Sequence, residues 1–328
     1  MADVSPVLVC YGTEKFLREE FLNRQIDQTI DPELRDFALI RYDLAETPLD
    51  AVLEEAETIP FMAERKIVIA ANAIFLTGAK DPSKVEHRTD LLLAYLGAPA
   101  PHTQLIFTVD AEKLDERKKL VKALKEKKLV KAFTPLSAEE LPGWVERRAQ
   151  KRGIGFERPA LDRFVLYTGG QLQAMDSELA KLELFAGSDS MITLETVEML
   201  VPRSVEQNVF LLMEDIVSRR LDKAMDQLHE LLKQKEEPIK LVMLMARQFR
   251  LILQVKDLYA QGYSQQQTAA HIGSHPYPVK LAAEQGRAYN TEQLKGILTE
   301  IADLDYAMKT GRTDKVLGLE LLLLKLAA

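Results

Sequence analysis

The strongest constraint on the fold is a change of rhythm part-way along the chain. Through roughly the first 138 residues, short runs rich in β-branched and apolar residues alternate with amphipathic helical stretches. Val7–Tyr11 reads as a strand, followed by a helix from about Glu14 to Thr29. Phe37–Tyr42 reads as a second strand and Pro48–Thr58 as a helix, with further strands at Lys66–Ala71, Gln104–Asp110 and Leu129–Pro135. Strands separated by helices cannot close as hairpins. They imply βαβ units around a mostly parallel sheet. From Ser137 to about Pro202 the strand signal disappears. Ser137 and Glu140 have capping-box spacing and open a helix carrying Trp144 and Val145. A second helix is expected over Pro159–Tyr167, ended by Gly169-Gly170, and a third over Leu172–Phe185, stopped by Gly187. Beyond Ser204 the helical segments lengthen: Val209–Leu221, Leu221–Lys235, Ile239–Gln261 with Pro238 at its start, Glu292–Lys309 and Asp314–Leu326. The expected organisation is an α/β domain over residues 1–138, followed by two all-α domains, 139–204 and 205–328.

Composition limits what these domains can do. With 47% hydrophobic and 28% charged residues, the chain has apolar material for more than one core. The net charge of −7 opposes tight nucleic-acid binding by the chain alone, because neutralising phosphate dominates such affinity. Cys10 is the lone cysteine, which excludes an internal disulfide and a multi-thiolate metal site and fits a reducing compartment. The opening Met-Ala-Asp-Val-Ser-Pro lacks the basic and apolar regions of a signal peptide. The longest apolar runs, such as Leu319–Leu324, are too short to span a bilayer and contain Glu320. A cytoplasmic protein without membrane association is expected.

Between the first strand and first helix, Tyr11-Gly-Thr-Glu-Lys-Phe-Leu17 puts Gly12 and Lys15 where a phosphate-binding loop would lie. A working loop needs several glycines, so that backbone amides can surround the phosphates, and Lys followed by Ser or Thr for charge and magnesium. Here Gly12 stands alone, the loop is short, and Lys15 is followed by Phe16. The strand Lys66–Ala71 runs into Asn72-Ala73 and not into a magnesium-holding carboxylate. Gly12 and Lys15 are therefore a degenerate position at which no ATP is expected, and neither a catalytic residue nor a cofactor is assigned.

A second segment has a different character. The acidic stretch from Leu53 leads into Thr58-Ile-Pro-Phe-Met62, and a strand begins at Lys66. Pro60 turns the chain out of the helix, gathering Ile59, Phe61 and Met62 between Glu57 and Glu64-Arg65-Lys66. A large aromatic beside a pliable thioether suits insertion into a partner's pocket. The same trio could equally cap the core beneath the helix, and both readings stand at this point.

Elsewhere the signals are plainer. Arg117-Lys-Lys119 with Lys122, Lys125, Lys127, Lys128 and Lys131 forms a basic strip, interrupted by Glu116 and Glu126 and read as a solvated face. Ser264–Gln285 has helix-turn-helix spacing, yet its second helix opens with Pro276, Tyr277 and Pro278 where a DNA reader places polar side chains. It is read as packing. His271 and His275 flank Gly273 with no third ligand, so no metal site is expected.

Four segments together resemble the delta subunit of the bacterial DNA polymerase III clamp loader. They are Tyr11-Gly-Thr-Glu-Lys-Phe-Leu17, Ile59-Pro-Phe-Met-Ala-Glu-Arg-Lys66, Lys113-Leu-Asp-Glu-Arg-Lys-Lys-Leu120, and Asp303–Leu326 with Lys309-Thr-Gly-Arg312 and Leu319-Glu-Leu-Leu-Leu-Leu324. Gly169-Gly-Gln-Leu172 and Glu178-Leu-Ala-Lys-Leu182 fit its middle module. The resemblance implies an AAA+-like domain without ATPase activity, a helical lid and a helical collar. It further implies a hydrophobic pair at the tip of the first domain that plugs a pocket on the sliding clamp. Phe61 and Met62 fall at that pair, flanked by Ile59 and Pro60; the family pair is often leucine and phenylalanine, so Met62 departs from it. The partners implied are the sliding clamp, ATPase subunits and a related delta-prime-type subunit, and primer–template DNA in the assembled complex, with Lys309 and Arg312 as candidate DNA contacts.

Overall fold

The structure, a computed structural model, describes residues 5–187 and 190–327. The chain divides into two compact units, residues 1–135 and 136–328. In the first, strands β1 (Val7–Tyr11), β2 (Leu39–Asp43), β3 (Lys66–Ala71), β4 (Thr103–Val109) and β5 (Val130–Ala132) form one sheet in the order β2-β3-β4-β1-β5. All neighbours are parallel. The helices are α1 (Lys15–Thr29), α2 (Arg35–Ala38), α3 (Leu49–Glu57), α4 (Thr89–Tyr95) and α5 (Lys119–Glu126).

Period-two alternation explains why the sheet is covered on both faces. Val7 and Val9, Val68 and Ala70, and Leu105 and Phe107 turn to one face, where they pack with Val52 and Leu53 of α3, Leu92 of α4 and Leu120, Val121 and Leu124 of α5. The intervening Leu8, Cys10, Ile67, Ile69 and Ile106 turn to the other, against Leu22 and Ile26 of α1 and Phe133. Each fully buried side chain of this size stabilises by roughly 1.5–3 kcal/mol. Every residue of β4 is buried, which its central place and its unbroken apolar run from Leu105 to Phe107 require. Burial also pushes the Cys10 thiol up to about 12, leaving it a small inert hydrophobe.

Two boundaries differ from the sequence reading in ways that matter for the site. Phe37 belongs to α2 and not to β2, which begins at Leu39. Ala38 is the residue of α2 that is buried, and this leaves Phe37 directed outward. The fifth strand contracts to Val130–Ala132, since β5 lies at a sheet edge and pairs with β1 alone.

The second unit opens with α6 (Glu140–Lys151), α7 (Arg158–Thr168), α8 (Leu172–Ala186) and α9 (Leu194–Leu200). Of the expected box at the start of α6 only half is present, with the Ser137 backbone N–H donating to the Glu140 carboxylate at 2.8 Å. A short parallel pair, β6 (Ile154–Phe156) with β7 (Ser190–Ile192), adds strand structure that three-residue segments could not announce by periodicity. The later helices are α10 (Val205–Val217), α11 (Leu221–Lys233), α12 (Pro238–Ala260), α13 (Gln265–Ile272), α14 (Pro276–Gln285), α15 (Thr291–Lys309) and α16 (Lys315–Ala327). Helix α12 is their axis: Leu241, Val242, Met245, Phe249, Ile252, Val255 and Leu258 recur at helical spacing and are buried among the surrounding helices. Complete capping boxes at Ser204/Gln207, Ser264/Gln267 and Asn290/Gln293 fix the starts of α10, α13 and α15. Among the described residues no helix is long and apolar enough to cross a membrane.

Candidate partner-docking site

The first unit has two places at which its connections could meet another molecule, at opposite ends of the parallel strands. Gly12 follows β1 at the carboxyl end, where ligands usually enter open α/β sheets. There the loop is closed by its own chain. The Gly12 N–H donates to the Val109 carbonyl at 3.3 Å and the Glu14 N–H to the Phe133 carbonyl at 3.0 Å. Gly12 has φ +135°, and a Cβ there would stand 2.0 Å from the Phe133 carbonyl oxygen, so a side chain is excluded by backbone crowding as well as conformation. Lys15 bridges Asp110 at 2.9 Å, and the buried Arg18 reaches the same carboxylate at 2.6 Å while donating to the Gly12 carbonyl at 3.1 Å. Burial works to raise the pKa of Asp110, but the hydrogen bonds and charges of Lys15 and Arg18 outweigh it and hold the carboxyl below its usual range. A phosphate would meet engaged amides at positions 12 and 14 and cations already neutralised. Sequence pattern directs the search for an acid to the end of β3, where Asn72 instead donates to Asp43 at 2.8 Å; the carboxylate that matters follows β4.

At the amino end of the same sheet, the connection from α3 to β3 does the opposite. Thr58 caps α3, its N–H and hydroxyl both satisfied by the Glu54 carbonyl, and from there the chain leaves the helix. Ile59 is 79% exposed, Phe61 70% and Met62 67%, while Pro60 is half-buried. Met62 has φ 59°, a left-handed conformation costing a non-glycine residue about 1–2 kcal/mol. The alternative of a core cap is excluded, because these three side chains face solvent.

The tip projects from a firm base. Lys66, which the sequence pattern groups with the charged bracket, is 1% exposed. Its ammonium bridges the Glu55 carboxylate at 2.6 Å and donates to the Glu55 carbonyl, tying the first residue of β3 to the end of α3. The His102 ring contacts the Thr58 carbonyl at 3.0 Å, and Arg65 donates to the Pro101 carbonyl at 3.4 Å. Sequence reasoning missed Phe37. Its ring is 52% exposed and lies edge-on to Phe61, centroids 6.4 Å apart.

The remaining candidates have local partners. Lys309 bridges Asp305 at 2.7 Å, and the Arg312 guanidinium lies over the Tyr306 ring at 5.1 Å. In the basic strip Arg117 pairs with Asp115, Lys125 with Glu116, and Lys131 sits 3.9 Å over the Phe21 ring. In the helix-turn-helix-like pair, Pro276, Tyr277, Val279, Ala282 and Gln285 of α14 are buried, so its opening residues pack and cannot read base edges. His275 caps α14 by accepting from the Tyr277 N–H, and burial pushes its pKa down. Among the described residues no group of three or more His, Cys, Asp or Glu could hold a metal ion.

Comparison with known proteins concerns the chain as a whole. The family profile described as DNA polymerase III, delta subunit matches residues 8–134, and a second profile, for the C-terminal domain of the DNA polymerase III delta subunit, matches residues 206–326. The DNA polymerase III subunit delta of Bacillus subtilis (strain 168) is 44% identical over 326 residues, covering 99% of this chain and 93% of that protein. The probable DNA polymerase III subunit delta of Aquifex aeolicus (strain VF5) is 20% identical over 314 residues, covering 94% and 88%. The solved structure of the Bacillus subtilis DNA clamp loader delta protein matches with a TM-score of 0.81 at 43% identity, over 99% of this chain and 96% of that one. Similarity of this extent, through both units and in the same order, means that the chain belongs to the DNA polymerase III delta subunit family, the clamp-loader delta subunits of DNA replication.

Proposed function

We propose that the chain works without chemistry of its own, docking the tip Ile59–Met62 into a pocket on the sliding clamp and favouring the opened ring. The observation that carries this reading is the joint exposure of Ile59, Phe61 and Met62 on a loop whose base is held by Lys66 and His102. Large apolar side chains of this kind are the usual anchors of protein interfaces. The closed loop around Gly12 and Lys15 supports the companion proposal that ATP is bound by other subunits.

Ring opening then follows from differential affinity. A closed ring and a strained open ring are in equilibrium, and a ligand shifts that equilibrium only by how much better it binds the open form. A tip that seats best when the neighbouring ring interface is relaxed favours opening without fuel. ATP binding elsewhere would control when the tip is presented. In this reading residues 139–204 act as the lid and 205–328 as the collar, through which the protein joins ATPase subunits and a delta-prime-type subunit in the cytoplasm. Because Asp305 already neutralises Lys309, a primer–template contact at this turn rests mainly on Arg312.

The test is capture of purified sliding clamp by the whole chain and by a Phe61→Ala, Met62→Ala variant. Loss of about 100-fold or more in affinity is expected for the double variant. Unchanged capture and ring opening would refute the proposal.

A further inference from the structure

The docking surface extends beyond the α3–β3 connection. We infer that Phe37 is a further anchor of the same surface, meeting the partner directly; this rests on the reading of the tip as a clamp-docking element. Among the described residues of the first unit, the large apolar side chains standing strongly exposed are Phe37, Ile59, Phe61, Met62 and Leu93. Four of these five come from two segments that the sheet brings together. Strands β2 and β3 are parallel neighbours, with Leu39 opposite Ile67. Phe37 therefore enters β2 at the same sheet edge, and on the adjacent strand, as the tip enters β3. The Phe37 and Phe61 rings meet at 6.4 Å with planes inclined by 64°, an edge-to-face arrangement.

Beyond its edge contact with Phe61, Phe37 is not drawn into the core of the first unit. Its neighbour Ala38 is fully buried and anchors α2, whereas Phe37 leaves half its surface in water. Exposing that much aromatic area is unfavourable in the free chain and is relieved on docking, so the ring enlarges the apolar area that a partner's pocket can cover. The fitting partner has an apolar recess wide enough for two aromatic rings from separate segments. A recess that accepts only a two-residue plug would leave Phe37 outside.

The test measures sliding-clamp affinity for the whole chain and for Phe37→Ala, for Phe61→Leu, and for Phe37→Ala in the Phe61→Leu background. Thermal unfolding of each variant controls for folding, and Phe37→Leu serves as the conservative exchange. Phe37→Ala is expected to weaken binding about 10- to 30-fold, Phe37→Leu by less, and Phe37→Ala again to weaken it in the Phe61→Leu background. Wild-type affinity for Phe37→Ala, alongside lost affinity for Phe61→Ala with Met62→Ala, would overturn the inference and leave the tip reading intact. An effect of Phe37→Ala that vanishes in the Phe61→Leu background would also overturn it, since Phe37 would then act only by orienting Phe61. Wild-type affinity for all variants would remove the tip reading itself.

Discussion

The two ends of the first unit's sheet treat their connections in opposite ways. At the carboxyl end, the loop at Gly12 turns its amides inward and answers Lys15 and Arg18 with Asp110. At the amino end, the α3–β3 connection secures its base through the buried Lys66 and leaves Ile59, Phe61 and Met62 in solvent. Open α/β sheets normally bind ligands at the carboxyl end. Here polar groups at that end satisfy one another, while apolar groups at the other end remain unsatisfied. The difference teaches that in one parallel sheet the polar groups at one end can be closed off by internal ion pairing while apolar side chains at the other end stay open to solvent.

That contrast can be broken at either end. The largest stability effect is expected at the base of the tip. Lys66→Ala leaves the half-buried Glu55 without its cation and opens space beneath β3, which should destabilise the first unit by about 3 kcal/mol. The single tryptophan, Trp144, lies in the second unit, so the measurement is amide hydrogen exchange in β3 and β4. A loss below about 1 kcal/mol would mean that the tip does not depend on this pair.

A smaller effect is expected at the closed loop. Asp110→Asn removes the charge facing Lys15 and the buried Arg18; because that carboxylate is 46% exposed and screened by solvent, the cost at neutral pH should be about 1 kcal/mol. The pH dependence has a definite sign. Asp110 titrates lower in the folded chain than its ordinary 3.8, so its contribution is present above that value. It is lost as pH falls through the folded pKa. The gap between wild type and Asp110→Asn should therefore be constant from neutral pH to about 5 and close on further acidification. A gap that widens on acidification would show that another group governs the loop.

Much of this was legible in the sequence. The alternating strands and helices, the defective loop at Gly12 and the apolar cluster at Ile59–Met62 all follow from local pattern, because each depends on neighbours within a few residues. What escaped depends on pairs distant in the chain. Asp110 matters because β4 lies beside β1, which the spacing of residues 15, 18 and 110 does not reveal. Lys66 reads as one more surface charge in Glu64-Arg-Lys66 until Glu55 is found over it. Phe37 reads as the first residue of a strand, since a β-favouring aromatic precedes Ala-Leu-Ile; only the four-residue α2 sets it at the surface beside the ring of Phe61. The strands β6 and β7 are too short for a periodic signal.

The claim that the working surface lies at the amino edge of the sheet is tested most directly by mapping amide hydrogen exchange in the whole chain with and without purified sliding clamp. Slowed exchange over residues 35–38 and 58–65, with residues 12–18 unchanged, is the predicted result. Slowed exchange over residues 12–18 with 58–65 unaffected would contradict it.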